Sequence, residues 1–311
     1  MPDSGGSEAL LASVVDVGSN TVLLLTLGVR PDGRASARDT ALATTRLAAG
    51  LRDGQPLDGG ARARTRDAVM EMARRARSLG ARSIWAFATG AARRASDGRA
   101  FAAQLARDAG CSVEVLSGEQ EAALAYAAVR HALGGDDAIL LTVDIGGATT
   151  ELTLGRGDAV EGMLSLPIGA LALTERGGDT AGLVDAALAT TELPALARAR
   201  GAAVLASGGT ATALAALDLG LAAYDSARVH GHALAVGGLA ALAARAHRAA
   251  EGVLDPGRAR VLPAGACVLE RVARAAGVTT VRASDHGVRH AYLRQRLANA
   301  GVDADLRALW D

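Results

Sequence analysis

Two segments of the sequence repeat one arrangement of acidic, glycine and hydroxyl-bearing residues. Residues 15–21 read VDVGSNT and residues 143–150 read VDIGGATT. In each segment an apolar strand ends near an aspartate, Asp16 or Asp144, and a turn of small residues follows. Because such a turn leaves backbone N–H groups uncovered, it can bind phosphate oxygens. Two of these turns facing each other across a cleft would hold a phosphate chain from both sides.

The basic residues are all arginine, which narrows the ways in which the chain can bind phosphate. Its 311 residues include 33 basic and 33 acidic side chains, and none is lysine. A Schiff-base lysine and a P-loop lysine are therefore excluded, so phosphate contacts must come from arginine, backbone N–H groups or a metal ion. The net charge of zero argues against non-specific nucleic-acid binding.

Cysteine usage and hydropathy predict the compartment. Cys111 and Cys267 are the two cysteines, and neither has a C-x-x-C partner, which is typical of a reduced cytosolic protein rather than of a structural zinc site. The N-terminus lacks the basic segment and apolar core of a signal peptide. No apolar run reaches the length of a membrane span. We expect a soluble, cytoplasmic protein with no membrane contact.

Strand and helix patterns alternate along the chain in two successive series. Strands are predicted at 11–29 (a pair joined at the Gly18 turn), 83–88, 112–116, 139–143, 151–154, 204–206 and 279–283, and helices at 60–79, 97–109, 119–133, 183–200, most of 232–250, 257–276 and 286–298. Ser117 followed by Gln120 predicts a capping box at the start of the third helix. The glycine pair within residues 134–137 predicts a hinge. This order is typical of an α/β chain built from two related halves.

Six motifs in a fixed order resemble those of the exopolyphosphatase and guanosine pentaphosphate phosphohydrolase family. They are residues 16–21 (DVGSNT), 88–93 (ATGAAR), 116–122 (LSGEQEA), 144–151 (DIGGATTE) and 206–210 (ASGGT), with Arg258-Ala259 ahead of 262–265 (LPAG). The resemblance covers residues 13–297, nearly the whole chain. The chain is similar to the short, two-domain form known from actinobacteria.

The resemblance implies a fold and a domain division. The family has the superfold of actin, sugar kinases and heat-shock ATPases, so we expect an α/β protein of two related ribonuclease H-like domains with a cleft between them. The N-terminal domain would comprise residues 1–134 and the C-terminal domain residues 135–291. The C-terminal helix, within residues 292–311, would pack back on the first domain.

The activity that the resemblance implies is hydrolysis of a terminal phosphoryl group. We expect an exopolyphosphatase that releases orthophosphate from inorganic polyphosphate, with guanosine pentaphosphate of the stringent response as a further substrate. No nucleic-acid partner is expected, and a homodimer is compatible with the resemblance. Two alternatives stay open: an ATP-dependent kinase or ATPase of the same superfold, with residues 207–210 near an adenosine pocket, and a non-catalytic sensor of guanosine tetra- or pentaphosphate.

The resemblance also assigns site residues. The family's catalytic base falls on Glu121, where a carboxylate at a helix start can take a proton from water aimed at phosphorus. Arg93 matches a phosphate-binding arginine, whose guanidinium can hold two phosphoryl oxygens. The remaining predicted phosphate ligands lie in three turns: Gly18, Ser19, Asn20, Thr21, Gly146, Gly147, Ala148, Thr149, Ser207, Gly208 and Gly209. Mg²⁺ is the expected cofactor, with Asp144, Asp16 and Glu151 as candidate ligands, because magnesium needs only one or two carboxylates.

Several positions depart from the family pattern. Gly90 stands where a serine is expected, Ala123 where an arginine is common, and Ala148 where a third glycine is expected. Alanine tolerates strained backbone angles less well than glycine, so we expect a shifted or stiffer turn at Ala148. These losses keep the sensor alternative open. His286 and His290 are predicted to be surface or packing residues.

Overall fold

The first part of the chain forms a five-stranded sheet. The computed structural model describes residues 10–134, 137–246, 253–307 and 309. The strands are β1 (Leu10–Val17), β2 (Thr21–Val29), β3 (Ala35–Thr44), β4 (Ser83–Ala88) and β5 (Ser112–Val115). Their order is β3-β2-β1-β4-β5, in which β1 to β3 are antiparallel neighbours and β4 is parallel to β1. The apolar runs of β1 and β2 suit strands that are covered on both faces.

The second sheet repeats this plan. Its strands are β6 (Ile139–Ile145), β7 (Thr150–Arg156), β8 (Ala159–Leu166), β9 (Ala203–Ser207), β10 (Ala233–Ala235) and β11 (Thr280–Ala283). The order is β10-β11-β9-β6-β7-β8. Strands β6 to β8 are antiparallel neighbours, and β9 is parallel to β6, as β4 is to β1. The two halves predicted from the sequence therefore share one topology around their glycine turns.

Helices pack on both sheets. They are α1 (Gly59–Ser78), α2 (Gly90–Arg94), α3 (Gly98–Ala109), α4 (Gly118–Leu133), α5 (Ala170–Arg176), α6 (Thr180–Leu188), α7 (Leu193–Ala199), α8 (Gly208–Asp218), α9 (Ser226–Val229), α10 (Leu239–Arg245), α11 (Pro256–Ala275) and α12 (Val288–Asn299). The first sheet and its helices bury Val15 and Leu105, and the second buries Leu141 and Leu214. The expected α/β class is confirmed.

Two helices connect the halves. Helix α4 buries Tyr126 against Leu205 of the second sheet. Helix α12 follows the last strand of the second sheet, yet its Leu293 packs in one cluster with Val14 of the first sheet. Helices α4 and α12 also contact each other. The domain boundary at residue 134 stays a prediction, and the predicted hinge includes Gly135 and Asp136, which lie outside the described residues.

Some predicted elements were wrong. The single helix over 183–200 is two helices, α6 and α7, because the chain turns at Thr190 and Thr191 and Pro194 starts the second helix. The helix expected over most of 232–250 is preceded by β10 and a 3₁₀ turn (Val236–Gly238), and begins only at Leu239. Strand β8 was not predicted, since its outer residues such as Glu161 are exposed and polar.

A search of the helices that the structure describes finds none with the length and hydropathy to cross a bilayer.

Candidate active site

A row of four polar side chains crosses the second sheet. Ser165, Glu151, Asp144 and Ser207 are register partners on the neighbouring strands β8, β7, β6 and β9. The Ser165 hydroxyl donates to Glu151 Oε1 at 2.7 Å, and the Ser207 hydroxyl donates to Asp144 Oδ1 at 2.7 Å. Strand register thus places two buried carboxylates side by side and gives each a hydroxyl partner.

The two glycine turns have the same internal hydrogen bond and meet each other. The N–H of Gly18 donates to the carbonyl of Thr21, and the N–H of Gly146 donates to the carbonyl of Thr149, both at 2.9 Å. A Cβ added to Gly147 would lie 3.1 Å from the backbone nitrogen of Asn20. Glycine at position 147 therefore lets the turns approach closely.

Glu121 joins this row from helix α4. The helix begins with the predicted capping box, in which the Gln120 N–H donates to Ser117 Oγ at 3.1 Å and the Ser117 N–H donates to Gln120 Oε1 at 2.8 Å. One carboxylate oxygen from each of Glu121, Asp144 and Glu151 lies within 4.8 Å of the other two. The cap thus holds the helix start that supplies a third carboxylate to the site.

Burial controls the charge of these carboxylates. It raises the pKa of Glu121 to about 7, although the positive charge of Arg93 opposes the shift. Burial, followed by repulsion from Glu121, raises the pKa of Asp16 to about 7. The pKa values of Asp144 and Glu151 are also raised, chiefly by burial. Carboxylates that repel one another in a buried site favour a proton or a cation among them.

Arg93 is engaged with the acidic centre. Its guanidinium forms an ion pair with Glu121, donates to the Leu116 carbonyl at 3.1 Å, and lies 3.8 Å from Glu151 Oε1. Arg93 is not among the residues that line the adjoining cleft. In this arrangement it anchors Glu121 rather than presenting an open guanidinium to a ligand.

A cleft of about 450 Å³ opens beside the acidic centre. Asp16, Glu121 and Asp144 line one part of it, together with the glycine turns. Arg258 of α11 and Arg289 of α12 line another part, and they are the basic lining residues in the described ranges. Neither guanidinium has an ion-pair partner there. The cleft therefore combines carboxylates, uncovered turns and two guanidinium groups without an ion pair.

The sequence matches the family model of the Ppx/GppA phosphatase family over residues 39–300. The chain belongs to the Ppx/GppA phosphatase family. It is thus a member of a family of hydrolases that act on phosphate groups.

Solved structures of Ppx/GppA proteins have the same fold. The Aquifex aeolicus family member is 25% identical with a TM-score of 0.75, and the match covers 94% of this chain and 98% of that one. A second Aquifex aeolicus structure, of a PPX-GPPA enzyme, is 26% identical with a TM-score of 0.72 and covers 91% and 98%. An exopolyphosphatase from Cytophaga hutchinsonii is 20% identical with a TM-score of 0.79 and covers 94% and 98%. The two-domain, actin-like architecture expected for the family is confirmed.

Most of the Ppx/GppA phosphate ligands predicted from the sequence reach the cleft. Those that line it are Gly18, Ser19, Asn20, Thr21, Gly146, Gly147, Gly208 and Gly209. The others lie behind it: Ala148 and Thr149 are buried, and the Ser207 hydroxyl is bound to Asp144. Ala148 does not have a positive φ, because Arg46 is the one non-glycine residue with positive φ in the part of the chain described. The shifted or stiffer turn expected at Ala148 stays a prediction.

Two arginines, a tyrosine and an aspartate are among the lining residues that were not predicted as ligands. Arg258 and Arg289 lie in or beside family-like segments, so the motifs could have marked them, whereas Tyr224 and Asp285 stand in loops without a local signal. The fold brings them together from α11, α12, the loop before α9, and the β11–α12 connection. Long-range packing, rather than any local pattern, creates this side of the site.

Proposed function

We propose that the chain hydrolyses the terminal phosphoryl group of a phosphoric anhydride, as an exopolyphosphatase or as a guanosine pentaphosphate phosphohydrolase. The proposal rests on one observation. A buried carboxylate, Glu121, meets two glycine turns and two guanidinium groups around a single cleft. Phosphoryl transfer depends mainly on positioning and on electrostatic stabilisation, and this site supplies both.

Each part of the site has a role in this proposal. The N–H groups of the turns at Gly18 and Gly146 hold the oxygens of the terminal phosphate. Glu121 accepts a proton from the attacking water, and a base with a pKa near 7 is well matched to neutral pH. Arg93 holds the Glu121 carboxylate in place, and Arg258 and Arg289 balance the charge of the remaining phosphates.

The acidic centre has a donor set that fits Mg²⁺. Glu121, Asp144 and Glu151 offer clustered oxygen atoms, and Glu151 Oε2 is buried without a hydrogen-bond partner. Hard divalent cations prefer such carboxylate ligands. We propose that Asp144 and Glu151 hold the ion, with Asp16 nearby; a bound Mg²⁺ would neutralise charge on the phosphoryl oxygens.

The test measures orthophosphate release by the full chain in the presence of Mg²⁺. The substrates are tripolyphosphate, long-chain polyphosphate and guanosine pentaphosphate. We expect Glu121→Gln to lower turnover about 100- to 10,000-fold, the range found when a general base is lost. Glu119→Gln is the matched control, because Glu119 lies in the same helical turn but is exposed.

The outcomes separate the proposal from its alternatives. Near wild-type release by Glu121→Gln would refute the assignment of the base. Binding of a guanosine polyphosphate without release from any substrate would favour the sensor. Conversion of ATP to ADP with transfer to an acceptor other than water would favour the kinase.

A further inference from the structure

The first turn of helix α11 is capped by residues from both halves of the chain. Asp255 is the N-cap of this helix, and its Oδ1 accepts hydrogen bonds from the N–H groups of Gly257 at 2.8 Å and Arg258 at 3.2 Å. The hydroxyl of Thr44, the last residue of β3, donates to the same oxygen at 2.7 Å. A cap normally satisfies only the N–H groups of its own helix. Here it also binds a side chain of the first sheet.

The contact between Thr44 and α11 is close as well as polar. Gly257 is buried, and a Cβ added to it would lie 2.5 Å from Thr44 Cγ2. Glycine at this position therefore lets the helix approach the end of β3. Asp255 and Arg258 line the cleft, and so do residues 40–42 of β3. The hydrogen bond thus joins a strand and a helix that both form walls of the cleft.

Thr44 is also linked to the first glycine turn. The next two N–H groups along the chain, those of Thr45 and Arg46, donate to the Asn20 carbonyl of that turn at 3.0 and 2.9 Å. Arg46 has a φ of 52°, which is the one left-handed angle of a non-glycine residue in the chain as described. Such a conformation persists only where the surroundings enforce it. Residues 44–46, which we call the bridge segment, therefore form a fixed connection between the turn and the cap of α11.

The capped helix carries a guanidinium group into the cleft. Arg258 lies in the first turn of α11, and a Cβ added to Gly209, in the glycine turn after β9, would lie 2.9 Å from Arg258 Nη2. Burial lowers the pKa of Arg258, and the charges of Asp285 and Asp255 oppose that shift. Because the backbone N–H of Arg258 is bound to Asp255, the cap fixes the point from which this side chain enters the cleft.

We infer that Thr44 is a positioning residue, which acts through Asp255 to place Arg258 relative to the first glycine turn. The bridge segment sets the distance between the turn, which holds one phosphate, and the guanidinium group, which binds a phosphate further along the substrate. Thr44 is not among the residues that line the cleft, so it acts on the substrate only through its neighbours. This inference rests on the proposed function and adds a residue to it.

Calorimetry tests the inference through binding rather than turnover. The titrant is tripolyphosphate in the presence of Mg²⁺, and the parent is the full chain with Glu121→Gln, in which we expect slow hydrolysis. Thr44→Val keeps the branched shape but removes the hydroxyl, and it should raise the Kd by about 2- to 10-fold, the range set by one hydrogen bond. Thr44→Ser keeps the donor and should bind like the parent. Thr44→Ala replaces Thr44→Val if urea unfolding shows that the valine variant is not folded.

A double-mutant cycle distinguishes positioning from a general loss of structure. Arg258→Gln should raise the Kd by about 10- to 100-fold, as expected for the loss of a charged contact. Since Thr44 acts through Arg258, adding Thr44→Val to Arg258→Gln should raise the Kd no further. Glu175→Ala is the matched control and should leave the Kd unchanged. The N–H of Gly50 donates to Oε2 of the exposed Glu175 on α5 at 3.0 Å, so this variant removes another hydrogen bond between the halves without altering the cap of α11.

Three outcomes would overturn the inference. They are an unchanged Kd in Thr44→Val, an equal increase with and without the Arg258 side chain, and an affinity in Thr44→Ser as low as that in Thr44→Val. The last outcome would assign the effect to the shape of the side chain rather than to its hydrogen bond. A parent Kd retained in Arg258→Gln would remove the group through which Thr44 acts, and it would refute the inference as well. Absence of phosphate release by the unmutated chain, with the expected binding pattern, would instead contradict the proposed hydrolysis.

Discussion

Gly90 and Ala148 fill one space between the two halves of the site. A Cβ added to Gly90 would lie 3.2 Å from the Ala148 Cβ and 3.2 Å from Ser19 Oγ. Ala148 is buried and has no left-handed backbone angle. The two departures from the family pattern therefore complement each other: the methyl group of Ala148 occupies room that a side chain at position 90 would need.

This packing predicts that substitutions at Gly90 and Ala148 have non-additive effects on the free energy of unfolding. Gly90→Ser alone should lower the free energy of unfolding by about 1–3 kcal/mol, because the added side chain overpacks a space that Ala148 already fills. Ala148→Gly alone should cost up to about 1 kcal/mol through added freedom of the unfolded chain. The double variant should be more stable than the sum of the two single changes predicts, with a coupling free energy of about 0.5–3 kcal/mol between the two positions.

Urea unfolding of the four proteins gives that coupling, and phosphate release shows whether the turns keep their geometry. Gly59→Ser is the control, since a Cβ there meets nothing within 4 Å. Additive effects in the double variant would contradict the shared space.

At the scale of elements, helix α12 completes the first sheet from the far end of the chain. Leu293 is fully buried against strands β1 and β2, and Gln295 of the same helix is exposed. Leu293→Ala should lower the free energy of unfolding by about 2–5 kcal/mol, because it leaves a cavity in a core. Gln295→Ala should change it by less than about 0.5 kcal/mol. Chemical denaturation measures both, and equal effects would show that α12 does not hold the first sheet.

The elements also show how far the sequence could predict the structure. Local signals identified β1, β2, α4 and its capping box, because turn residues and caps lie next to the elements that they delimit. The same signals identified Asp144 and Glu151. These two residues lie opposite each other because a short hairpin joins their strands. The break between α6 and α7 depends on a proline inside an alanine-rich stretch. The prediction missed this break because it gave more weight to the high helix propensity of alanine than to the proline.

Contacts between distant segments could not be predicted in this way. The ion pair of Arg93 with Glu121 depends on how α2 and α4 approach each other, and the hydrogen bond of Tyr224 with Asp285 joins two loops. No spacing in the sequence encodes either contact. Arg93 was therefore assigned to phosphate from the motif alone, and the Tyr224 side of the cleft was missed.

At the scale of the whole molecule, the rings of three histidines pack against one another behind the cleft. The rings of His286 and His290 are stacked with centroids 4.5 Å apart, and His230 lies 4.6 Å from His286. His230 Nδ1 accepts from the N–H of Asp285 at 3.3 Å, and His290 Nδ1 accepts from the N–H of Gly287 at 3.1 Å. Neutral rings therefore hold the segment that carries Asp285 and leads to Arg289.

The stack predicts how stability depends on pH. Burial lowers the pKa of His286 to about 3, with further lowering by His230, Arg289 and His131. In the unfolded chain the pKa is about 6.5, so between these values the unfolded state binds the additional proton. Stability from this residue is complete above pH 6.5 and is lost as the pH falls toward 3, by about 1.4 kcal/mol per pH unit once the unfolded histidine is protonated.

A paired measurement isolates this effect. The buried carboxyl groups of Asp16 and Glu121 have raised pKa values, so they act with the opposite sign over much of the same range. Comparison with His286→Phe, which keeps a ring in the stack but does not titrate, cancels their contribution. Urea unfolding of both proteins from pH 8 to pH 5 should show a constant difference above pH 7. Below pH 6.5 the wild type should lose stability relative to the variant, because only the wild type must keep a neutral His286. Parallel curves down to pH 5 would mean that His286 is as easily protonated in the folded chain as in the unfolded one, which would contradict the lowering of its pKa by burial.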